Sequence, residues 1–422
     1  MNTTTKLVDY MKGLSMFFQK LEEPYKVGKQ EIDSLLHILS RVRDFRKQGK
    51  IIYKLNLILG ICFYLALKGK FTSFHYAAEY VDVHKAEFEE LGLIENGRVP
   101  SHDTFLNIFN HLDALSLRDV FIEKFRQFLE SVYNLVEEDK SGKYKLLSGD
   151  GKTFNGSGRK SGKANYNVFN MYSASNAICS ISVPLTDKES EIPEFRELLV
   201  KYDLRKTIVT ADALHCQKKT CEAIISKKGH YLIKAKGNNE ALVAEIEQSF
   251  SNQKYSKKIQ KLHHNDCDYE MLFISDIISD VNWPHCKAYV KMISYKRKDQ
   301  MDFNPVPQYF VTSLKDITLI AEAADNRWNI EDGLHFFKDD FLDEDSCTFT
   351  GKNAVQVMAT INNIVYSFYR IAAAILNDTM QRTIMRYEEN PLELISLVTP
   401  LLKKTNFNAL VRNNMRGGKK TE

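Results

Sequence analysis

The sequence predicts an α/β protein in which a mixed β-sheet follows a helical N-terminal region. Between Lys29 and Val136 the apolar residues recur at helical spacing, interrupted once by a turn at residues 96–100. At Tyr144 the spacing of apolar residues changes to two, which is typical of strands. Strands and helices then alternate in short runs, and this alternation indicates a sheet that is covered by helices.

The β-rich region begins with three strands joined by tight connections. These strands are expected at residues 143–154, 167–175 and 177–186. They are followed by a helix at 192–202, a strand at 207–214, a helix at 218–228 and a strand at 230–237. The order β-β-β-α-β-α-β is that of a ribonuclease-H-like domain, in which an antiparallel meander begins a mixed sheet. Periodicity alone does not distinguish this fold from other α/β folds.

The rest of the chain divides into an insertion, a helical cap and a basic end. The region from about 238 to 308 holds a helix and two strands, at 240–250, 269–275 and 287–295. A strand at 308–314 then leads into helices at 319–337 and 354–376. We therefore predict a helical N-terminal region at 1–138, a catalytic core at 139–376 and a helical, basic tail at 377–422.

Composition and charge are those of a globular protein that is able to bind nucleic acid. The 422 residues are 44% hydrophobic and 27% charged, with a net charge of +4. The apolar stretch at 55–67 is too short for a bilayer, which needs about 20 residues, and we expect a buried helix there. The N-terminus lacks the pattern of a secretory signal, and the seven cysteines form no CxxC pair. We therefore expect a cytoplasmic protein with reduced cysteines and no membrane partner.

Two aspartates follow apolar strands and are candidates for a metal site. Asp150 stands at the end of one strand, and Asp212 follows the apolar residues 208–210. If these strands are neighbours, the two carboxylates meet at one edge of the sheet, where they repel each other unless a divalent cation holds both. Oxygen ligands favour Mg²⁺ or Mn²⁺. Taken alone, an aspartate in such a place is more often a turn or capping residue.

A third carboxylate, Glu331, belongs to the helix predicted at 319–337. Helical spacing places Arg327, Glu331 and Lys338 on one face of this helix. Added to the two aspartates, Glu331 would complete a site for two metal ions, one activating water or a 3′-hydroxyl and the other stabilising the leaving oxygen. The alternative is a ladder of salt bridges along the helix, worth about 0.3–0.5 kcal/mol per pair.

Six segments of the chain carry a resemblance to a known family. They are VPSHDTF (99–105), LLSGDGKTFNGS (146–157), IVTADALHCQKKTCEAI (208–224), HYLIKAKGNNEAL (230–242), YFVTSL (309–314) and RWNIEDGLHFFKDDFLDED (327–345). In these segments the chain resembles the H-repeat-associated (ISAs-type) insertion-sequence transposases, a DDE family with a ribonuclease-H-like core. The segments span most of residues 40–375 and keep the order of the family.

The resemblance implies a role for each of the three acids. Asp150, Asp212 and Glu331 match the metal-binding catalytic triad of DNA cleavage and joining. Arg327, Glu331 and Lys338 match the last three positions of the family signature Y-x₂-R-x₃-E-x₆-K. The chain departs from the family in two places: Ala324 stands at the tyrosine position, and residues 263–270 replace the usual His-Gly-Arg-Ile-Glu segment.

Basic residues near the triad are candidates for contacts with DNA phosphates. Besides Arg327 and Lys338 they are Lys152, Lys234, Lys236 and the loop residues Arg159, Lys160 and Lys163. Such contacts set affinity and salt dependence and carry no sequence information. For the loop residues alone, a solvated basic loop is the simpler interpretation. Trp328, His215 and His335 are interpreted as core or supporting residues and not as ligands.

The sequence therefore predicts a transposase that cleaves DNA at insertion-sequence ends and transfers the strand into target DNA with two Mg²⁺ or Mn²⁺ ions. Its partners would be terminal-repeat and target DNA, with a homodimer in the synaptic complex. It would act in the bacterial cytoplasm, associated with the nucleoid when bound to DNA. Three alternatives remain: an inactive DNA-binding descendant of a transposase, a nuclease that cuts without joining, and a non-enzymatic interaction module.

Overall fold

A computed structural model describes most of the chain between residues 29 and 403. The described ranges are 29–49, 51–121, 144–157, 164–173, 178–185, 190–251, 257–262, 268–275, 283–296, 307–327, 329–376 and 378–403. Several sequence predictions lie outside these residues: the basic end after 403, the basic loop 159–163, Trp328 and most of the divergent segment 263–270. In the described residues, no helix is both long and apolar enough to cross a membrane.

The N-terminal region is helical, as the spacing of its apolar residues predicts. Its helices are α1 (Lys29–Leu39), α2 (Leu55–Leu67), α3 (Phe74–Val83), α4 (Lys85–Glu90) and α5 (His102–His111), and residues 114–121 are also helical. The helix α2 is buried along nearly its whole length, as its continuous apolar sequence predicts. Six of the seven cysteines are described, and all six are free thiols.

The central feature is a sheet of nine strands in the order β3-β2-β1-β4-β5-β9-β8-β7-β6. The strands are β1 (Lys145–Phe154), β2 (Tyr166–Ser173), β3 (Ile178–Leu185), β4 (Thr207–Ala211), β5 (His230–Ala235), β6 (Lys257–Leu262), β7 (Asp268–Ser275), β8 (Ala288–Lys296) and β9 (Gln308–Thr312). β1 pairs antiparallel with β2 and parallel with β4. β4 pairs parallel with β5, and all other neighbours are antiparallel. The predicted α/β class with a mixed sheet is confirmed.

The segment predicted as an insertion extends the same sheet. β8 pairs with β9, and β7 and β6 continue the sheet beyond it. The sequence predicted β7 and β8 but no strand at residues 257–262, which is wrong because they form β6. The sequence KKIQKL contains few apolar residues, so its period of two is weak.

Helices cover both faces of the sheet. The helices α6 (Glu191–Lys201), α7 (Lys218–Ser226) and α8 (Glu240–Ser251) share one hydrophobic cluster with one face. On the opposite face, α9 (Ile317–Arg327) packs against strand residues such as Leu146 and Ile208. Neighbouring residues of one strand therefore face different layers, as Leu146 and Leu147 do.

The helix predicted at 319–337 is interrupted. α9 ends at Arg327, a π-helical segment occupies Asn329–His335, and α10 covers Phe336–Asp340. The wider turn of a π-helix changes which side chains share a face after it, and such turns are frequent at functional sites. The prediction that Lys338 shares a face with Arg327 and Glu331 therefore assumed a regular helix that the structure does not have.

The C-terminal helices pack against the N-terminal region. They are α11 (Lys352–Leu376), α12 (Met380–Tyr387) and α13 (Pro391–Lys403). Buried residues of α11 and of the N-terminal helices form one hydrophobic core, which also includes Val168 and Tyr172 of β2. Because α11 lies against the first strands of the sheet, it lies close to the region around Asp150.

Candidate active site

The two aspartates belong to neighbouring parallel strands. Asp150 lies within β1, which continues to Phe154, and not at the end of a strand as the sequence predicted, whereas Asp212 directly follows β4. The pairing of β1 with β4 ends at Gly149 and Ala211, one residue before Asp150 and Asp212. Two residues before the aspartates, the hydroxyls of Ser148 and Thr210 form a buried hydrogen bond of 2.7 Å. Side chains two residues apart on a strand share a face. Asp150 and Asp212 therefore project from the same face where the ladder opens.

Asp212 also has a local structural role. Its backbone is extended, and its Oδ1 accepts a hydrogen bond of 3.0 Å from the backbone N–H of Leu214, which caps the short 3₁₀ helix Ala213–His215. The capping function that is common for an aspartate in this place is thus present. Its second carboxylate oxygen takes no part in that bond, so capping and a ligand role are compatible.

Glu331 approaches the aspartates from the π-helical segment. Its side chain is partly exposed, and its Oε1 lies 3.6 Å from Nη1 of Arg327. Arg327 itself is buried, with its guanidinium 6.0 Å from the ring centroid of Phe310 on β9. The predicted pair of Arg327 and Glu331 is therefore present at the spacing of four residues.

The pKa of Asp150 responds to the charges of the other two acids. Burial raises the pKa of Asp150 to about 8, and the negative charges of Glu331, Asp212 and Glu191 contribute to the rise. Without a cation the folded protein therefore holds a proton on Asp150 at neutral pH. On the basic side of the site, burial lowers the pKa of Lys234, and the charges of Arg327 and Lys236 lower it further.

The donor set fits a hard divalent cation. In the described residues, no three His, Cys, Asp or Glu side chains are already close enough together to enclose an ion. The three acids nevertheless offer only carboxylate oxygens, the ligands that Mg²⁺ and Mn²⁺ prefer. A divalent cation between them would also offset the burial and the repulsion that together raise the pKa of Asp150.

A fourth carboxylate near Asp150, Glu191, was not identified from the sequence. It is the first residue of α6, and its Oε1 lies 3.0 Å from Nε2 of the fully buried His215. A Cβ placed on Gly151 would come within 2.5 Å of Oε2 of Glu191, so a larger residue does not fit beside Asp150. An acidic residue at a helix start after the third strand was the available signal, but such residues usually stabilise the helix dipole.

A second missed residue, Asn170, lies on β2 directly opposite Asp150. Its Nδ2 is 3.3 Å from Nε2 of His335, and Nδ1 of His335 is 3.5 Å from Oδ2 of Asp150. Burial lowers the pKa of His335 well below its usual value, and the charges of Lys338 and Lys152 add to this effect. A neutral imidazole therefore bridges Asn170 and Asp150, in agreement with the supporting role predicted for His335.

Two of the predicted phosphate-binding lysines point into the protein. The Lys152 side chain is 7% exposed and pairs with Asp339, and Lys338 is fully buried with Nζ 3.9 Å from Oε1 of Glu344. Neither ammonium group is available to a DNA phosphate in this structure, because acidic residues within and after α10 lie against both. Lys236 is exposed and Lys234 is half-buried, so the surface beside Asp212 keeps two of the predicted cations.

Comparison with known proteins gives the family of the chain. A family model described as the transposase DDE domain matches residues 137–368, more than half of the sequence. The chain belongs to this family. A second model, for a region associated with that domain, matches residues 36–123, which include the end of α1 and the helices α2 to α5.

Several curated relatives are similar to this transposase over most of their length. "Putative transposase YncI" of Escherichia coli O157:H7 is 26% identical over 80% of this chain and 88% of its own. "H repeat-associated putative transposase YhhI" of Escherichia coli strain K12 is 24% identical over 79% of this chain and 89% of its own. The resemblance to the H-repeat-associated transposases is therefore confirmed.

Family membership supports a transposase function, and transposases act on DNA. Proteins with this domain generally use divalent metal ions. The domain also implies a ribonuclease-H-like fold, with which the mixed α/β sheet agrees.

Proposed function

We propose that this transposase cleaves DNA at the ends of an insertion sequence and joins the freed 3′-hydroxyl to target DNA, with Asp150, Asp212 and Glu331 as its metal-binding carboxylates. The main support is the register of β1 and β4. It directs two aspartates from parallel neighbouring strands to one face, at the point where the ladder ends. The contribution of the charge of Glu331 to the raised pKa of Asp150 supports including this third acid in the same site.

Each residue has a defined task in this proposal. Asp150, Asp212 and Glu331 would hold two Mg²⁺ or Mn²⁺ ions, which supply activation of the attacking oxygen and stabilisation of the leaving one. His335, fixed by Asn170, orients the carboxylate of Asp150. Arg327 orients Glu331 through their contact at 3.6 Å. Lys234 and Lys236 contact backbone phosphates beside Asp212.

The larger organisation follows the sequence prediction. We propose that the helical region at 1–138 binds the terminal repeats, that residues 139–376 form the catalytic core and that 377–422 form a helical, basic tail. Synapsis of two element ends requires two active sites, which favours a homodimer. The protein would work in the cytoplasm on chromosomal and plasmid DNA, in association with the nucleoid.

The test is a cleavage-and-joining assay on a supercoiled plasmid that carries the DNA flanking the gene, with Mg²⁺ or Mn²⁺. Wild type is compared with Asp150→Ala, Asp212→Ala and Glu331→Ala. Asp203→Ala is the matched control, because Asp203 is an exposed acid that pairs only locally with Arg205 among the described residues. We expect metal-dependent joined products from wild type and the control, and none from the three variants.

Each other outcome identifies a different function. Nicked DNA without joined products would indicate a nuclease on the same fold. Products that persist in the three variants would exclude this triad. The control variant Asp203→Ala should cleave DNA as wild type does. Reduced cleavage in this control would mean that loss of a surface acid is enough to lower activity.

An inactive DNA-binding descendant is the second candidate, and specific observations favour it. The signature tyrosine is replaced by Ala324, which is 2% exposed, and the signature lysine Lys338 is buried. Binding to the element ends without cleavage in either metal would support this candidate. The variant Ala324→Tyr restores the tyrosine of the signature. Recovered cleavage in this variant would show that loss of the tyrosine is the cause of inactivity.

A further inference from the structure

A cluster of charged residues lies between β1 and the end of α10. This charged cluster consists of the buried Lys152, Lys338 and Glu344 and the partly exposed Asp339 and Asp345. Lys152 pairs with Asp339 and lies 3.7 Å from Oε2 of Glu344 and 3.9 Å from Oδ1 of Asp345. The Lys152 side chain is 7% exposed and that of Lys338 is fully buried, so both lysines lie among carboxylates and away from solvent.

Glu344 is the member that joins separate elements. Its side chain is fully buried and contacts Lys152 of β1 at 3.7 Å and Lys338 of α10 at 3.9 Å. Its Oε1 also accepts a hydrogen bond of 2.8 Å from Nδ2 of Asn362 on α11. One carboxylate thus connects a strand and two helices. In the described part of the chain, Nζ of Lys338 has no hydrogen-bond partner, so this attraction is its main compensation for burial.

The two lysines are linked in the chain to two acids of the active site. Lys152 follows Asp150 by two residues on β1, so both side chains project from one face. Lys338 follows Glu331 by seven residues, across the π-helical segment. Two buried ammonium groups repel each other unless an anion lies between them. Glu344 supplies that anion and so sets the separation of β1 from α10.

We propose that Glu344 is a positioning residue of the active site: by bridging Lys152 and Lys338 it fixes the strand that carries Asp150 against the helix that carries Glu331, and so sets the spacing at which the three carboxylates bind divalent ions. This inference rests on the proposed function of the triad. Two other uses of the cluster do not fit its geometry. Its lysines are too buried for DNA, and their positive charges would repel a cation bound within it.

The test measures metal binding by the full-length protein without DNA, using Mn²⁺ alone as the probe and electron paramagnetic resonance to count free ions. Glu344→Gln keeps the shape of the side chain and removes its charge, and we expect the Kd for Mn²⁺ to rise ~10-fold. Glu344→Asp keeps the charge and should recover at least part of this loss. Asp345→Asn is the matched control, because Asp345 lies near Lys152 but is partly exposed. Its Kd should stay within about twofold of wild type.

Melting temperature separates positioning from simple stability. If Glu344→Gln melts earlier but binds Mn²⁺ as wild type does, Glu344 is only structural and the proposal is wrong. If Glu344→Gln does not fold, the double variant Lys338→Met with Glu344→Leu replaces the buried pair by apolar residues, which proteins often tolerate. Wild-type Mn²⁺ affinity in that double variant would equally overturn the proposal.

Asp150→Ala distinguishes failure of this inference from failure of the proposed function. Mn²⁺ binding that Asp150→Ala abolishes establishes the metal site, and the Glu344 variants then decide the inference. If wild type binds no Mn²⁺ in a manner that depends on Asp150, the proposed metal site is absent, and the role of Glu344 is rejected with it.

Discussion

The strands that carry Asp150 and Asp212 differ from the helical segment that carries Glu331 in how firmly the chain fixes them. Asp150 lies within β1 and Asp212 directly follows β4, and ladder hydrogen bonds and the contact of Ser148 with Thr210 fix the register of these two strands. Glu331 lies in a π-helical turn between two α-helices, and its side chain forms an ion pair with Arg327 at 3.6 Å. A rigid pair of acids therefore faces a third acid on an irregular element.

This difference indicates how such a site combines accuracy with adjustment. If the proposed site binds an ion, two carboxylates on paired strands would define its position, because neighbouring strands move little relative to each other. A carboxylate on a π-helical turn would be able to adapt, since conversion to a regular α-helix changes the register of all later residues. Substitutions on the two sides of the site therefore test whether the aspartates are fixed and whether the helical side changes.

The largest effect is expected from Asp212→Asn. Asparagine keeps an oxygen that accepts the hydrogen bond from Leu214, so the cap at the end of β4 survives while the charge is lost. We expect single-turnover DNA cleavage to fall at least ~10²-fold, because the ion loses a ligand. Circular dichroism and melting temperature should match wild type. Cleavage within threefold of wild type would mean that Asp212 is only a cap.

A smaller effect is expected from removing single lysines that differ in exposure. Lys236→Ala removes an exposed cation beside the site, and the slope of log affinity for DNA against log salt should fall by ~0.9. Lys338→Met should leave the slope unchanged, because Lys338 is fully buried beside Glu344. Fluorescence anisotropy with labelled duplex measures both. A reduced slope for Lys338→Met would show that the helix turns in the complex and presents this lysine to a phosphate.

The pH dependence of stability tests the repulsion at the aspartates. In the metal-free folded protein Asp150 keeps its proton up to about pH 8, whereas an unfolded chain loses it near the ordinary value of 3.8. Between these values the folded state binds more protons, so the contribution of Asp150 to the free energy of unfolding falls as pH rises.

Asp150→Asn should therefore raise the melting temperature of the metal-free protein at pH 8, by roughly 2 °C or more, and flatten its dependence on pH. Mg²⁺ should raise the melting temperature of wild type but not of this variant. Differential scanning calorimetry in chelator and in Mg²⁺ measures both effects. A lower melting temperature for Asp150→Asn at pH 8 would contradict the raised pKa.

The sequence predicted the aspartate side of the site better than the glutamate side, and the reason is physical. A period of two locates β1 and β4, and the sequence predicted that the two aspartates meet if these strands are neighbours. The parallel pairing of β1 with β4 satisfies that condition, although Asp150 lies within β1 and not at its end. The face of a helix follows from its spacing only while the helix is regular. The π-helical turn at 329–335 therefore redirected Lys338, which the signature had placed with Glu331.

Contacts between distant parts of the chain were beyond the sequence. Glu344 meets Lys152, and Asn170 meets His335, through the packing of α10 and α11 on the first strands. Glu191 reaches Gly151 because α6 starts at the open edge of the sheet. No local pattern distinguishes these residues from ordinary helix caps and surface acids. Their contacts are identified only from the three-dimensional structure, in which the helices pack on the sheet.

The smallest effect is expected from removing the side-chain hydrogen bond that links β1 and β4 beside the aspartates. The hydrogen bond between Ser148 and Thr210 is buried, so it should contribute ~1 kcal/mol to the free energy of unfolding. A double-mutant cycle with Ser148→Ala and Thr210→Val, measured by urea denaturation, should give a coupling energy of about that size. If this hydrogen bond positions the aspartates, the double variant should also bind Mn²⁺ more weakly, although both carboxylates remain. Loss of stability without loss of Mn²⁺ affinity would mean that the ladder alone holds Asp150 and Asp212 in place.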